Sequence, residues 1–326
     1  MSQKIDEFEL INGIREMFPK AKPPVKLGIG DDCAILHFKD KEILVSSDLL
    51  IENTHFLIPP FKPYELGKKA ILANISDISA MGGIPEAFTV SLGLPPTVRE
   101  REVKELYLGI KEASSNYRCQ LVGGDISRSE RFTISITIVG SNEKDGSILR
   151  STASCGDLLC VTGKPGCSAI GLEALLKGYP PPVFLKYIKH HIEPSIKIPF
   201  ARGLSILKAA TSMIDISDGI ASDARRIAEA SGVRVVIERE KLPSLNLKED
   251  ERAFLEKEEA FYILHGGEDY ELLFTVRPEK LAKVKQIAEE TQTEFTVIGF
   301  VDEGEGVYIK ENGEIKPLSP EGFKHF

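Results

Sequence analysis

The chain has 326 residues, a formal charge of −8, a pI near 5.5, and 42% apolar against 28% charged residues. That length predicts two domains with ample core material and excludes a predominantly disordered chain. No dense block of Lys and Arg marks a nucleic-acid or anionic-membrane binder, and no apolar run approaches the ~20 residues needed to cross a bilayer.

The N-terminal Ile5, Phe8, Ile11, Ile14 and Phe18 recur at helical spacing, so this end reads as an amphipathic helix rather than a signal peptide. Next, KLGIGDDCAILHF leads into a strand that turns at Lys39-Asp40-Lys41 into EILVSSDLL, a hairpin. This puts Asp32 and Asp48 at opposite ends of a short β unit unless the sheet curls. His55 follows in a proline-rich irregular stretch.

From Tyr64 to Met81 a helix is predicted, with Leu66, Ala70, Ala73, Asp77 and Met81 on one stripe and a stop at Gly82-Gly83. Asn74 and Asp77 share a face. A carboxylate on an apolar helix face is costly to bury unless it is paired or binds metal.

A strand over 86–94, a helix over 97–117 and a strand over 119–122 ending at Gly123-Gly124-Asp125 come next. RFTISITIVG then alternates, with Phe132, Ile134, Ile136 and Ile138 on one face. The polar stretch 141–156 sets a domain boundary, giving domains over 1–149 and 150–326. Arg150 lies in that joint, where it is either a phosphate contact or a surface residue.

The second half opens with the strand DLLCVTG and the loop GKPG, which matches neither GxxxxGK[ST] nor GxGxxG and so argues against a P-loop or dinucleotide fold. Helices through 210, a helix to Ser231, the strand VRVVIE, the loop-to-strand GGEDYELLFTV, a helix over 278–290, a strand over 295–301 and a hairpin at Asn312-Gly313 complete the chain. The runs ISDIS (75–79) and ISDGI (216–220) hint at two related halves. Cysteines 33, 119, 155, 160 and 167 have no CxxC or zinc spacing and read as reduced thiols of a cytoplasmic protein.

The chemistry concentrates in MIDISDGIASD (213–223), where Asp215, Ser217 and Asp218 sit between an apolar run and a helix. Ser217 or Asp218 is either a helix cap or part of a metal site. Acids beside small residues recur at Gly30-Asp31-Asp32, Ser46-Ser47-Asp48, Ser76-Asp77, Gly123-Gly124-Asp125 and Gly267-Glu268-Asp269. One cap does not explain six such clusters. Carboxylates brought together repel unless a hard cation lies among them, and Mg²⁺ shared with phosphate oxygens meets that need.

The ordered set GIGDDCA, SSDLLIENTHF, NISDISAMGG, GGD, MIDISDG and GGEDYEL resembles thiamine-monophosphate kinase, in the superfamily of aminoimidazole ribonucleotide synthetase and selenophosphate synthetase. The resemblance implies an α+β fold: an N-terminal domain whose antiparallel-type sheet forms a barrel with a second subunit, and a C-terminal α/β-type domain. It implies several Mg²⁺ ions on Asp32, Asp48, Asp77, Asp125, Asp215 and Asp218, with Ser46 and Ser47 as lesser ligands. ATP contacts fall on Tyr107, Gly124, Arg150 and Ser217, and substrate contacts on His55, Glu268 and Phe323.

The implied reaction is direct transfer of the ATP γ-phosphoryl group to thiamine monophosphate by a homodimer, with no catalytic side chain required. The alternatives are another ATP-using member of the superfamily, such as aminoimidazole ribonucleotide synthetase, and a non-catalytic nucleotide or metal sensor. Residues 1–27 hold no Cys, which argues against a selenophosphate synthetase.

Overall fold

The computed structural model describes residues 7–17, 22–178 and 180–319. Its first sheet comprises β1 (Val25–Leu27), β2 (Ala34–Phe38), β3 (Lys41–Ile51), β4 (Ile84–Leu94), β5 (Gln120–Arg128) and β6 (Thr133–Glu143), in the order β1-β2-β3-β6-β4-β5. Only β4 and β5 run parallel. The second sheet comprises β7 (Leu158–Thr162), β8 (Ser212–Asp215), β9 (Arg234–Glu238), β10 (Leu272–Val276), β11 (Phe295–Asp302), β12 (Gly306–Glu311) and β13 (Glu314–Pro317). Its order is β13-β12-β9-β11-β7-β10-β8.

The helices are α1 (Glu7–Met17), α2 (Pro63–Ala80), α3 (Glu100–Asn116), α4 (Cys167–Lys177), α5 (Leu185–Ile192), α6 (Ile198–Ile206), α7 (Ile220–Ser231), α8 (Glu249–Phe254), α9 (Glu259–His265) and α10 (Leu281–Thr291). Among the described residues no helix is long and apolar enough to cross a membrane.

The fold is mixed α+β, but one expectation needs correction. The second sheet is not of α/β type, because only β9 and β12 pair in parallel and every other neighbour is antiparallel. Strands and helices alternate along this half, yet the sheet order interleaves strands far apart in sequence, so helical connections do not impose parallel pairing. Neither sheet closes on itself among the described residues, so this chain alone forms no barrel.

The alternation in β6 is fulfilled: Phe132, Ile134, Ile136 and Ile138 are buried, while Thr133, Ser135, Thr137 and Val139 stay half-buried on the outer face. The inner face is covered by α2, which packs on β3, β4 and β6 on one side and on β8, α5 and α6 on the other. It lies directly on α3. A Cβ at Gly67 would stand 2.1 Å from the Leu106 carbonyl oxygen, and one at Gly109 2.0 Å from that of Tyr64. Helix α2 is thus the shared wall between the halves, and its length fixes the spacing of whatever both halves present to it. The run ISDIS lies inside α2 whereas ISDGI forms the loop after β8 and the first residue of α7, so their likeness is not a structural repeat.

Candidate active site

Strand register decides which acids meet. In the rows of the first sheet, Asp48 stands beside Ile136 and Ser46 beside Ile138, so both face inward toward α2. Asp32, in the loop before β2, Asp77 of α2 and Asp215 of β8 each offer a carboxylate oxygen, and these lie within 4.8 Å of one another. Asp48 adds its charge to this group. Ala34 pairs with Val45 across the hairpin, so Asp32 and Asp48 lie at the same end of the β unit, away from the turn, and not at opposite ends as expected. Two hydroxyls brace the set: Ser46 Oγ donates to Asp77 Oδ2 at 2.5 Å and Ser76 Oγ to Asp215 Oδ2 at 2.6 Å.

Burial and mutual repulsion act on these acids together. Burial, then the charges of Asp48, Asp215 and Asp32, pushes Asp77 well above the carboxylate range; burial and Asp32 do the same to Asp215. Asp48 is pushed up to about 6 by burial and Asp32. Burial also raises Asp32, against the pull of Arg150 and Arg226, and its Oδ2 is buried without a hydrogen-bond partner. A compact set of oxygen donors with an orphaned carboxylate oxygen fits a hard divalent cation.

Two guanidiniums flank the acids. Arg150 is not a surface residue: it bonds Asp31 Oδ1 through Nε at 3.2 Å and Asp32 Oδ1 through Nη2. Burial and Asp32 raise Asp31 to about 6 against the pull of Arg150. Arg226 of α7 bonds Asp218, Asp223 Oδ1 at 3.0 Å and Ser217 Oγ at 3.4 Å. Burial pushes Asp223 up to about 7 despite Arg226.

The capping reading of Ser217 and Asp218 does not hold, since the residue before α7 is Gly219 and no side chain caps it. Gly219 has φ +104, and a Cβ there would stand 2.8 Å from the His265 carbonyl carbon. The 215–219 loop can therefore lie against the 265–268 loop, where Glu268 N donates to the Ser217 carbonyl at 2.8 Å.

Not every expected residue joins this group. Ser47 points to the outer face, where its hydroxyl pairs with Thr137 Oγ1 at 3.0 Å. Asp125 stands in register with Ser91, itself beside Ser135, and so lies on the face opposite to Asp48. It meets Tyr107 and Gly124 instead, in an open depression of about 490 Å³ along β5. His55 accepts a hydrogen bond at Nδ1 from the Ile51 amide at 3.0 Å. Phe323 lies outside the described residues.

Glu268 belongs to a third group, paired with the buried Lys69 at 3.0 Å. Sequence reasoning missed Lys69, Asp223 and Arg226. A lysine on a helix stripe otherwise made of Leu, Ala and Ile was the signal for the first. The three-residue spacing of Asp223 and Arg226 along one helix face was the signal for the others.

Two family models account for most of this architecture: AIR synthase related protein, N-terminal domain, over residues 30–141, and its C-terminal domain over residues 155–311. They define a class of proteins built from these two regions, here joined around the acids Asp32, Asp77 and Asp215.

Within that class, the thiamine-monophosphate kinase of Aquifex aeolicus (strain VF5) is 37% identical, with 99% of each chain covered. That of Bacillus subtilis (strain 168) is 36% identical, covering 99% of this chain and 100% of the relative. A solved structure described as AaThiL complexed with AMPPCP and TMP superposes with a TM-score of 0.86 at 38% identity, covering 98% of this chain and 97% of its own. The chain belongs to the thiamine-monophosphate kinase family.

Proposed function

We propose that the chain phosphorylates thiamine monophosphate to thiamine diphosphate at the expense of ATP. Family membership supports this reading, as does the structure of a relative with AMPPCP and TMP together. The observation that carries it is the convergence of Asp32, Asp77 and Asp215 at the seam of the two halves.

An oxygen of the acceptor phosphate attacks the γ-phosphorus of ATP, and the bond from that phosphorus to the ADP oxygen breaks. The attacking oxygen is already anionic near neutral pH, so no side chain needs to remove a proton. Mg²⁺ held by Asp32, Asp48, Asp77 and Asp215 would supply positive charge beside the phosphate oxygens.

The protein's own part is positional. Ser46 and Ser76 fix the orientation of Asp77 and Asp215. Arg150 and Arg226 hold fixed positive charge at the rim, where Arg150 and Ser217 are assigned to ATP; Tyr107 and Gly124, also assigned to ATP, line the depression along β5. His55, Glu268 and Phe323 are assigned to the acceptor. Ser47 and Asp125, on the outer face of the first sheet, and Asp218, held by Arg226, stay assigned to further Mg²⁺ ions apart from that group.

The homodimer is supported by β5, an edge strand exposed along its whole length, with Leu121, Val122 and Ile126 bare. Such an edge is a template for a second chain. A second copy there would cover the face that carries Asp125.

The test is ADP release by the purified chain with ATP, Mg²⁺ and thiamine monophosphate, with thiamine diphosphate identified as product. ADP release that ignores the acceptor, or that responds to a formylglycinamidine ribonucleotide instead, would remove the assignment.

A further inference from the structure

Helix α2 buries several polar side chains, Lys69 among them. Lys69 is 1% exposed, and its only ion pair among the described residues is with Glu268, Nζ to Oε1 at 3.0 Å. Beneath the pair lies His191 of α5, also 1% exposed, with Nε2 and its carbonyl oxygen each 3.3 Å from Lys69 Nζ. His191 Nδ1 faces Ser168 Oγ at 2.8 Å, and its ring packs on Phe61 at 5.5 Å. Ser168 and Gly166 in turn donate backbone amides to Asp269 at 2.9 and 2.6 Å, beside Glu268.

A buried ammonium with one carboxylate partner is costly to separate from it. That cost holds the Glu268 side chain, which is 29% exposed, against the cleft wall. The Glu268 backbone sits at φ +62, where its amide donates to the Ser217 carbonyl at 2.8 Å and that of Tyr270 to the Ile216 carbonyl at 2.9 Å, so the loop carrying Glu268 lies against the loop next to Asp215. Lys69 and Asp77 are two turns apart on the same helix, roughly 12 Å along its axis.

We propose that Lys69 is a positioning residue for Glu268, setting where the acceptor is gripped relative to the acids of α2. This rests on the reading of Glu268 as an acceptor contact. The helix then acts as a ruler: one end holds the acceptor-recognition carboxylate and the other the phosphate-facing carboxylates. Misplacing the acceptor by a fraction of an ångström is enough to lower turnover of a pre-oriented reaction.

The test compares Lys69→Met, Lys69→Arg, Glu268→Gln and the Lys69→Met/Glu268→Gln double variant by steady-state kinetics. Lys69→Met is expected to raise the KM for thiamine monophosphate about tenfold or more while the KM for ATP stays within about twofold. Lys69→Arg recovers most of the loss, and adding Glu268→Gln to Lys69→Met causes no further rise. Equal changes in both KM values, or additive effects in the double variant, overturn the proposal.

If Glu268→Gln raises the acceptor KM and Lys69→Met does not, the positioning role is wrong and the reading of Glu268 stands. If Glu268→Gln has no effect, Glu268 is not an acceptor contact and the proposal goes with it. Should Lys69→Met fail to fold, Lys69→Gln carries the same comparison.

Discussion

Ser76 on α2 donates its hydroxyl to Asp215 on β8 at 2.6 Å, joining residues 139 positions apart across the seam between the two sheets. The next residue of the helix, Asp77, accepts from Ser46 of β3. Each acid is thus held by a hydroxyl from a different element, so orientation and charge are supplied by separate side chains.

Asp77→Asn should separate these two contributions. It keeps the shape and the hydrogen bond to Ser46 but removes one of several repelling charges. Turnover is expected to fall about 100-fold or more, while the midpoint of thermal unfolding in EDTA stays level or rises. An ADP-release assay and a melting curve on the same preparation measure both. Retained turnover, or a lower midpoint without metal, contradicts the role given to Asp77.

The raised acids also set a pH dependence. Asp31 and Asp48 titrate at about 6 and Asp223 at about 7 in the folded chain, against 3.8 when free. The folded state therefore binds more protons than the unfolded one between about pH 4 and pH 7, so stability falls as pH rises through that window. Metal-free protein should melt higher at pH 5 than at pH 8, and adding Mg²⁺ should narrow the gap by stabilising the pH 8 sample. A metal-free midpoint that climbs from pH 5 to pH 8 contradicts this account.

The pattern of elements was legible where periodicity speaks directly, as in β6 and α2, whose inward faces match the apolar stripes of the sequence. The residues Asp32, Asp77 and Asp215 were also legible, because small neighbours and acids recur together. What periodicity does not encode is which strands become neighbours. The antiparallel character of the second sheet followed from pairings such as Asp215 with Leu272, across a connection of more than 50 residues. Facing within a motif was hidden for the same reason. Ser46 and Ser47 look equivalent in sequence, and only the register with Ile138 and Thr137 sends one inward and the other out. Arg226 escaped notice because an arginine on a helix is usually solvated, and its partner Asp218 lies in a loop eight residues away.

Arg226→Gln should expose how the rim is balanced. Asp223 is fully buried and its one ion pair among the described residues is with Arg226 at 3.0 Å, so removing the guanidinium takes away that counter-charge. The expected loss is about 3 kcal/mol at pH 8 in urea unfolding, and less at pH 5, where Asp223 takes up a proton instead. A loss below about 1 kcal/mol at pH 8 would mean that the pair contributes little.

The open edge of the first sheet yields the last expectation. β5 pairs only with β4, leaving its other side without strand neighbours among the described residues, and Val122 and Ile126 are 66% and 57% exposed. Unpaired amides beside bare β-branched side chains favour docking of a second sheet, and a lysine on such an edge opposes it by demanding solvent for its ammonium. The wild-type chain should sediment near twice its 36.0 kDa mass, and Val122→Lys as a single chain. Because Tyr107 of α3 and Gly124 and Asp125 of β5 line one depression along that strand, the monomeric variant should also lose affinity for ATP. A wild-type chain that sediments as a monomer while remaining fully active would show that β5 needs no partner and that the site is complete within one chain.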